Sequence, residues 1–372
     1  MLTKNRFKDP ALIEKATRRI KELAAQIDGE ISLMEVCGTH THSIFKYGIR
    51  ELLPANVRLI SGPGCPVCVT PMIFIDKAIS LARLEDVIIT TYGDLMRVPG
   101  QLGSLLEARA EGGQVEIVYS PSDSLDLARE NPNKEVVFLA VGFETTTPMT
   151  ALALEGAVRE GITNFKILNA HKVVPPALLA LAQGELELDG FLLPGHVAAI
   201  TGIDPFQFLV DEYGIPGIVA GFEPLEIMDA ILKILEQLVR DRKGIGNSYR
   251  RVVKEGGNPQ ARSLIDKYFE REDSEWRGLG IIPHSGLRLK DEWIEYDITN
   301  QIEFTTEIKE EKGASPCICG SILTGKKTPL DCPSFKKKCT PETPLGACMV
   351  SSEGTCAAYY RYNGRGGKRD VR

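Results

Sequence analysis

Cysteines are the residues in this chain whose type and spacing most clearly indicate chemistry, because a thiolate is a soft metal ligand, a nucleophile and a redox centre. The chain has nine cysteines in 372 residues. Three lie near its start and six near its end, with no cysteine between Cys68 and Cys317. The sequence therefore predicts two different thiol sites on one protein.

The first thiol site combines Cys37 with the pair in Cys65-Pro-Val-Cys68. The pair follows an apolar segment and opens a helical pattern, which is the context of a thioredoxin-like redox pair; the alternative is two small residues buried in a tight turn. A disulfide exchanger needs only two thiols, whereas three can hold a soft metal and leave coordination positions free. His40 is expected to donate a proton or orient a thiolate, with a solvated loop histidine as the alternative.

The second thiol site contains the six later cysteines, and an iron–sulfur cluster of the cubane type takes four thiolates. This segment lacks two CxxC knuckles and has no histidine after His284, so structural zinc is less well supported. We favour an iron–sulfur cluster, with zinc or uncoordinated thiols as the alternatives. The preferred ligands are Cys332, Cys339, Cys348 and Cys356, and Cys317 and Cys319 are assigned as a redox pair or as alternative ligands.

Three further motifs each have a functional and a structural interpretation. Glu353, shortly before Cys356, either relays protons to the cluster region or completes a helix cap. GFETTTP at 142–148 either binds an anion through hydroxyls and a helix N-terminus or is ordinary capping. GSILTGKK at 320–327 nearly matches a phosphate-binding loop, but Lys327 replaces the required hydroxyl residue, which favours a chance match.

Composition and charge exclude several classes of protein. The net charge of -6 argues against a general nucleic-acid binder. No apolar run reaches the ~18 residues that span a bilayer, and the N-terminus carries charges where a signal peptide needs apolar residues. We therefore expect no membrane segment and a cytoplasmic location, where clustered cysteines more often indicate metal or redox chemistry than disulfides.

Short apolar segments alternate with helical patterns, and repeated strand–loop–helix units predict parallel sheets covered by helices. Amphipathic helices are predicted over residues 10–28 and 224–243. The predicted strands form two consecutive sets of four, which suggests two similar α/β domains. The first set is residues 31–36, 57–61, 87–92 and 115–120, and the second is residues 136–141, 165–170, 191–194 and 218–222.

The predicted domains are residues 1–125, 126–243 and 244–372, the last being a smaller Cys-rich domain that a bound cluster would stabilise. Ligands of open parallel sheets bind at the carboxyl ends of the strands. The first three cysteines follow predicted strands, as do His171 and His196. All five are therefore expected to face one cleft between the two α/β domains.

Six motifs together resemble the HypD family of [NiFe]-hydrogenase maturation proteins, and they cover nearly the whole chain in the family's order. They are MEVCGTHTH, SGPGCPVCVTP, GFETTTP, NAHKVVPPAL, LPGHVAAITG and CMVSSEGTCAAYYRY. Members of this family are scaffolds on which the Fe(CN)2CO group of the hydrogenase active site is assembled. The resemblance implies the same function here, with thiol and iron–sulfur redox activity that supports cyanide transfer to iron.

The resemblance also implies partners and residue roles. A small HypC-type chaperone would share the iron, and a HypE-type protein would deliver cyanide as a thiocyanate on its terminal cysteine. Cys37 would hold the iron, a transient cargo carrying CN and CO ligands, beside the redox-active Cys65 and Cys68. His40 and Glu353 would be functional residues near the two thiol sites, and a [4Fe-4S] cluster would occupy the C-terminal domain.

In the function that the resemblance implies, electrons for cyanide release would pass from an outside donor through Cys317 and Cys319 to Cys65 and Cys68.

Two other functions remain as alternatives. A cluster-dependent thiol–disulfide oxidoreductase acting on protein disulfides would use the same thiols but would not need Cys37. A small-molecule α/β enzyme with a structural zinc module is the third interpretation, and the sequence does not decide whether the protein is itself an enzyme.

Overall fold

Two all-parallel sheets carry the fold of this protein, whose computed structural model describes residues 6–302 and 317–362. Their strands are short and apolar, as expected for strands covered on both faces. The strands, together with those of a C-terminal hairpin, are β1 (Ile31–Glu35), β2 (Val57–Ser61), β3 (Val87–Thr91), β4 (Val115–Ile117), β5 (Glu135–Gly142), β6 (Phe165–His171), β7 (Gly190–Pro194), β8 (Gly217–Ala220), β9 (Ile245–Asn247), β10 (Phe269–Trp276) and β11 (Gly280–Leu289).

Helices follow most of these strands. Among the described residues, the α-helices are α1 (Pro10–Ala24), α2 (Gly38–Lys46), α3 (Pro66–Val69), α4 (Met72–Ala82), α5 (Leu105–Ala110), α6 (Pro121–Glu130), α7 (Thr147–Glu160), α8 (Val174–Ala182), α9 (Gly195–Thr201), α10 (Phe208–Asp211), α11 (Pro224–Arg240), α12 (Pro259–Tyr268), α13 (Cys319–Leu323), α14 (Ala347–Val350) and α15 (Thr355–Tyr362). The 3-10 helices cover Arg50–Leu52, Gly93–Leu95, Asp204–Phe206, Asp291–Tyr296, Ile298–Asn300 and Pro329–Asp331.

The predicted strand segments are confirmed, but their grouping into two consecutive sets of four is wrong. The first sheet has the order β2-β1-β7-β8-β9, and the second has the order β4-β3-β5-β6. The chain crosses to the second sheet after β2 and returns after β6, so the sheets cut across the predicted ranges 1–125 and 126–243. Strands buried on both faces all read as apolar runs, and such runs do not specify which segments pair.

The region after residue 243 is also shared among several parts of the fold. β9 pairs with β8 and so extends the first sheet. β10 and β11 form an antiparallel hairpin whose backbone meets the second sheet at the Lys172–Gly286 bridge. In the part of the chain that the structure describes, the Cys-rich segment begins at residue 317.

The two long amphipathic helices form as predicted, each somewhat shorter. Asp9 caps α1 by accepting a 2.9 Å hydrogen bond from Ala11 N, and Pro10 occupies the first turn. α11 ends at Arg240, where Asp241 adopts a left-handed conformation with φ 49°. These helices pack together against the outer face of the first sheet.

A shared apolar core joins the inner faces of the two sheets. Alternate residues of β5 divide between this core and the outer face, with Val137 and Leu139 pointing inward and Val136 and Phe138 outward. The C-terminal segment adds side chains to the shared core, among them Met349. In the described residues, no helix combines the length and the apolar character needed to span a membrane.

Candidate functional site

The first thiol site lies at the carboxyl edge of the first sheet. β1 leads into Cys37, and its neighbour β2 leads into the loop that carries Cys65. β7, on the other side of β1, leads into His196. Neighbouring parallel strands end at the same sheet edge, so Cys37, Cys65, Cys68 and His196 share one edge as predicted.

The two cysteine loops touch through their backbones. Gly38 N donates a 3.0 Å hydrogen bond to Gly64 O. A Cβ atom added at Gly64 would lie 2.2 Å from Cys37 N, so only glycine allows this approach. The loop that ends at Cys65 is therefore held directly against the start of α2.

Cys65 and Cys68 lie at the two ends of one helical turn, and both side chains are buried. Cys65 Sγ caps α3 by accepting a 3.2 Å hydrogen bond from Cys68 N. This is the predicted strand–turn–helix setting of a redox pair. Because both thiols are buried, a substrate reaches them only if the surrounding segments move.

The second thiol site adjoins the first instead of lying apart from it. α14 packs against α3, and the Cys68 thiol interacts with the thiols of Cys348 and Cys65. Burial, followed by these two contacts, raises the pKa of Cys68 well above the usual thiol value. Of the six later cysteines, Cys348 is the one that acts on Cys68, whereas the predicted electron path runs through Cys317 and Cys319.

Cys37 is a buried thiol next to a carboxylate. Burial, then the charge of Glu353, raises the pKa of Cys37 to about 12, although the backbone amides of His40 and Thr39 and the Thr39 hydroxyl act in the opposite direction. The Thr39 hydroxyl donates a 2.5 Å hydrogen bond to Glu353 Oε1. Metal coordination would have to replace the proton that Cys37 keeps in the structure.

Glu353 contacts the first thiol site and not the end of its own helix. A Cβ atom added at Gly38 would lie 2.4 Å from Glu353 Cβ. Burial raises the pKa of the Glu353 carboxyl above its ordinary value, while the bond from Thr39 opposes that shift. The Glu353 carboxylate therefore does not act as a helix cap, which was one of the two roles predicted for it.

His40 is fully buried, so the alternative of a solvated loop histidine is wrong. Its Nε2 lies 3.0 Å from Gly221 O and 3.2 Å from Ala220 O, and its ring stacks on Phe222. Burial lowers the pKa of His40 to about 4, so the ring is neutral at pH 7 and Nε2–H donates to the carbonyls. The His40 ring is thus fixed against the segment that follows β8, while its backbone amide faces the Cys37 thiol.

His171 does not join the thiols, so the expectation that all five residues face one cleft is wrong for this histidine. It ends β6 in the second sheet and is buried. Its Nδ1 lies 2.8 Å from Asn169 Oδ1, and its Nε2 lies 3.4 Å from Thr150 Oγ1. Burial lowers the pKa of His171 to about 3, as expected for a structural histidine.

The six later cysteines form a set of mutually interacting thiols. The charges of Cys348, Cys339 and Cys332 all act on Cys356, whose pKa is raised first by burial and then by these neighbours. Cys319 also acts on Cys356, but more weakly. Four buried or partly buried thiols suit an iron–sulfur cluster, because such clusters are held by four cysteine ligands. Within residues 6–302 and 317–362, however, no group of three or more His, Cys, Asp or Glu side chains is arranged to hold a metal ion.

Cys317 and Cys319 form a hydrogen-bonded pair. This bond, followed by the charge of Arg277, lowers the pKa of Cys319 to about 6 against the effect of burial. The same bond raises the pKa of Cys317. None of the nine cysteines, all of which lie in the described residues, forms a disulfide.

The two other motifs have structural explanations. The Thr146 and Thr147 hydroxyls of GFETTTP both donate to Phe143 O, so they bond to the local backbone, although the N-cap residue Thr146 makes no side-chain capping bond to α7. In GSILTGKK the helix α13 precedes Gly325, whereas a phosphate-binding loop precedes its helix. The chance match is therefore favoured.

Sequence reasoning missed several residues around the thiols. Arg50 Nη2 lies 3.6 Å from the buried carboxylate of Glu35, and Arg50 Nη1 donates to the Tyr359 hydroxyl at 3.3 Å. This contact ties α15 to the strands below the first thiol site. Thr39 could have been found, because it lies inside the CGTHTH motif, whereas Arg50 and Arg277 lie outside every motif.

Comparison with known proteins identifies the family. The HypD model, described as the hydrogenase formation hypA family, matches residues 11–363. This chain belongs to the HypD family. Hydrogenase maturation factor HypD of Rhodobacter capsulatus is 46% identical over 366 residues, covering 96% of this chain and 97% of that protein.

Two further HypD relatives match to a similar extent. The hydrogenase maturation factor HypD of Azotobacter vinelandii is 47% identical over 367 residues, with 96% of this chain and 95% of that protein covered. The Escherichia coli K12 factor of the same name is 44% identical over 353 residues, with 94% of each covered. The family that the motifs resemble is confirmed.

Proposed function

We propose that this HypD-family chain acts in hydrogenase maturation as the scaffold on which the Fe(CN)2CO group is assembled. The observation that carries the proposal is the contact between the Cys37 loop and the Cys65 loop through Gly38 and Gly64. Three thiols at one sheet edge suit iron carrying cyanide and carbon monoxide, because such iron prefers soft thiolate ligands. Cys37 would hold the iron throughout, and Cys65 and Cys68 would be further ligands from this chain only while they are reduced.

The thiol pair accounts for the electrons that cyanide release needs. If the Cys65 thiolate attacks the sulfur of a protein-bound thiocyanate, an S–S bond forms, the S–C bond breaks and cyanide leaves. Cys68 then attacks the mixed disulfide, releases the donor's thiolate and leaves a Cys65–Cys68 disulfide. The two electrons come from the dithiol, so each cycle requires that pair to be reduced again.

The second thiol site would supply that reduction. Cys332, Cys339, Cys348 and Cys356 would hold a [4Fe-4S] cluster, which carries single electrons when bound. Cys348 is the member of this set that contacts Cys68. Cys317 and Cys319 would remain as the adjacent dithiol.

The partners in this proposal are those that the resemblance to the HypD family implies. A HypC-type chaperone would complete the iron's ligand set from outside the Cys37 loop, and a HypE-type protein would present the thiocyanate. Both must reach buried thiols, so docking must displace or reshape the covering segments. The cytoplasm would be the place of this exchange, since reduced thiols persist there.

Infrared spectroscopy of the protein purified anaerobically with its HypC-type partner tests the scaffold. Bands from metal-bound cyanide and carbon monoxide are expected, and Cys37→Ala should remove them. A preparation with full partner occupancy and no such bands would refute the proposal.

The contact between Cys68 and Cys348 also favours a second function, a cluster-dependent thiol–disulfide oxidoreductase. That activity would reduce protein disulfides without Cys37. Cys37→Ala therefore separates the two functions, because it would leave disulfide reduction intact while abolishing the infrared bands.

A further inference from the structure

Arg277 is a buried cation without a carboxylate partner. It lies in the turn between β10 and β11, and only 8% of its surface is exposed. None of the ion pairs within residues 6–302 and 317–362 includes it. Burying an unpaired charge is strongly unfavourable, so a compensating negative charge is expected nearby.

The hydrogen bonds of Arg277 fix its place but leave part of its guanidinium available. Nη2 donates to Pro99 O at 3.0 Å, and the backbone N donates to Val69 O at 2.8 Å. Nη1 is buried and has no hydrogen-bond partner within the described chain. The Pro99 carbonyl therefore holds the side chain and the Val69 carbonyl holds the backbone, and neither neutralises the charge.

The surroundings of Arg277 are the two thiol-bearing segments. Val69, its backbone partner, follows Cys68 directly. On the other side, a Cβ atom added at Gly278 would lie 3.3 Å from Cys319 Sγ and 2.7 Å from Gly320 Cα. The hairpin turn is therefore packed between the helix of the first thiol site and the start of the second.

We propose that Arg277 is the charge-compensating residue of the second thiol site and that it raises the reduction potential of that site. Cys319 lies beside the hairpin turn that carries Arg277, and as a thiolate or a cluster ligand it would bring negative charge to that turn. The inference deepens the proposed function and rests on it where a cluster is concerned, but its physical basis holds for the thiols alone.

Arg277 should raise the reduction potential of the second thiol site whether that site holds a cluster or a Cys317–Cys319 disulfide. Reduction adds negative charge to a thiolate-bound cluster, and hydrogen bonds and charge near the sulfurs set the potential of such clusters. Reduction of a Cys317–Cys319 disulfide yields thiols, of which a nearby cation stabilises the thiolate form, so the disulfide becomes more oxidising. Removing the cation should therefore make either potential more negative.

Redox titration of the reconstituted protein, followed by electron paramagnetic resonance, tests the proposal. Arg277→Gln should lower the equilibrium constant for one-electron reduction about tenfold, which corresponds to ~59 mV. Arg277→Lys keeps the charge but loses the fork that reaches Pro99, so its potential should stay near the wild-type value even if its Tm falls. Lys326→Gln is the matched control, because this nearby cation is exposed and paired with Glu185.

An unchanged potential in folded Arg277→Gln, or an equal shift in Arg277→Lys, would overturn the inference. If the wild-type protein takes up no cluster, the cluster assignment in the proposed function is refuted. The same variants are then titrated against glutathione as metal-free proteins. There, two glutathione thiols reduce the Cys317–Cys319 disulfide and form glutathione disulfide. A tenfold fall in that equilibrium constant, ~30 mV for two electrons, is then the expected result, and its absence counts against Arg277.

Discussion

The Thr39 hydroxyl donates a 2.5 Å hydrogen bond to the Glu353 carboxylate across 314 residues of chain. Thr39 lies in the first turn of the helix that follows Cys37, and Glu353 precedes the last helix of the described chain. The C-terminal segment therefore places a negative charge beside the N-terminal thiol. The two ends of the chain form one site, and the behaviour of Cys37 depends on both.

Glu353→Gln should make Cys37 more reactive. The Glu353 charge contributes to raising the pKa of Cys37 to about 12, so its removal should lower that pKa and increase the thiolate fraction. We expect the alkylation rate of Cys37 at pH 9 in metal-free protein to rise roughly threefold or more, since one pKa unit is tenfold in thiolate. Peptide mapping after iodoacetamide treatment measures the alkylation rate of Cys37. Glu342→Gln, which changes an exposed carboxylate, is the control and should leave that rate unchanged. An unchanged rate in Glu353→Gln would contradict the prediction.

Gly64→Ala should disrupt the first thiol site. The added Cβ would lie 2.2 Å from Cys37 N, and backbone on both sides must shift to relieve that contact. Overpacking of this kind costs about 1–3 kcal/mol, and we expect more than a tenfold loss of hydrogenase maturation in a complementation assay. Gly256→Ala is the control, since an added Cβ there meets nothing within 4 Å; equal activity of the two variants would refute the close-approach argument.

Cys65→Ala should abolish cyanide transfer, because the dithiol can then no longer supply two electrons. The measurement is release of cyanide from a thiocyanate-bearing partner, together with maturation of the hydrogenase. Val67→Ala changes a buried residue of the same turn and keeps both thiols, so it should retain activity. Intact transfer in Cys65→Ala would rule out the dithiol as the reductant.

Glu144 should make the protein less stable as the pH rises. Burial raises the pKa of Glu144 to about 7, against an ordinary value of 4.5. A carboxyl with a raised folded-state pKa stabilises the fold fully below pH 4.5, and that contribution is lost as the pH rises through 7. The loss is about 3 kcal/mol between those limits.

Urea denaturation of Glu144→Gln at pH 5 and pH 8 tests this dependence. The variant should lose less stability than wild type between the two pH values, because its buried amide does not ionise. Glu130→Gln, at the exposed end of α6, should behave like wild type. A wild-type-like pH dependence in Glu144→Gln would show that burial does not perturb this carboxyl.

The strands and the first thiol loops were accessible to sequence reasoning because their signals are local. Apolar segments bounded by Gly and Pro marked β1 and β2, and Asp9 with Pro10 marked the start of α1. The Cys65-Pro-Val-Cys68 turn was likewise predicted in its strand–turn–helix context. Each of these features depends on backbone preferences and burial patterns within a few residues of itself.

The sequence by itself determined the element types, the parallel α/β class, the family and the cysteines that form each thiol set. Only the tertiary structure decided that β7 pairs with β1, that Cys348 contacts Cys68 and that Arg277 lies between the two sets of thiols. The physical reason is that pairing, dense packing and charge compensation act between groups far apart in the chain. Apolar strands that are covered on both faces can pair with many other such strands, so their sequences do not specify the neighbour. The sequence likewise does not distinguish a buried arginine from an exposed one.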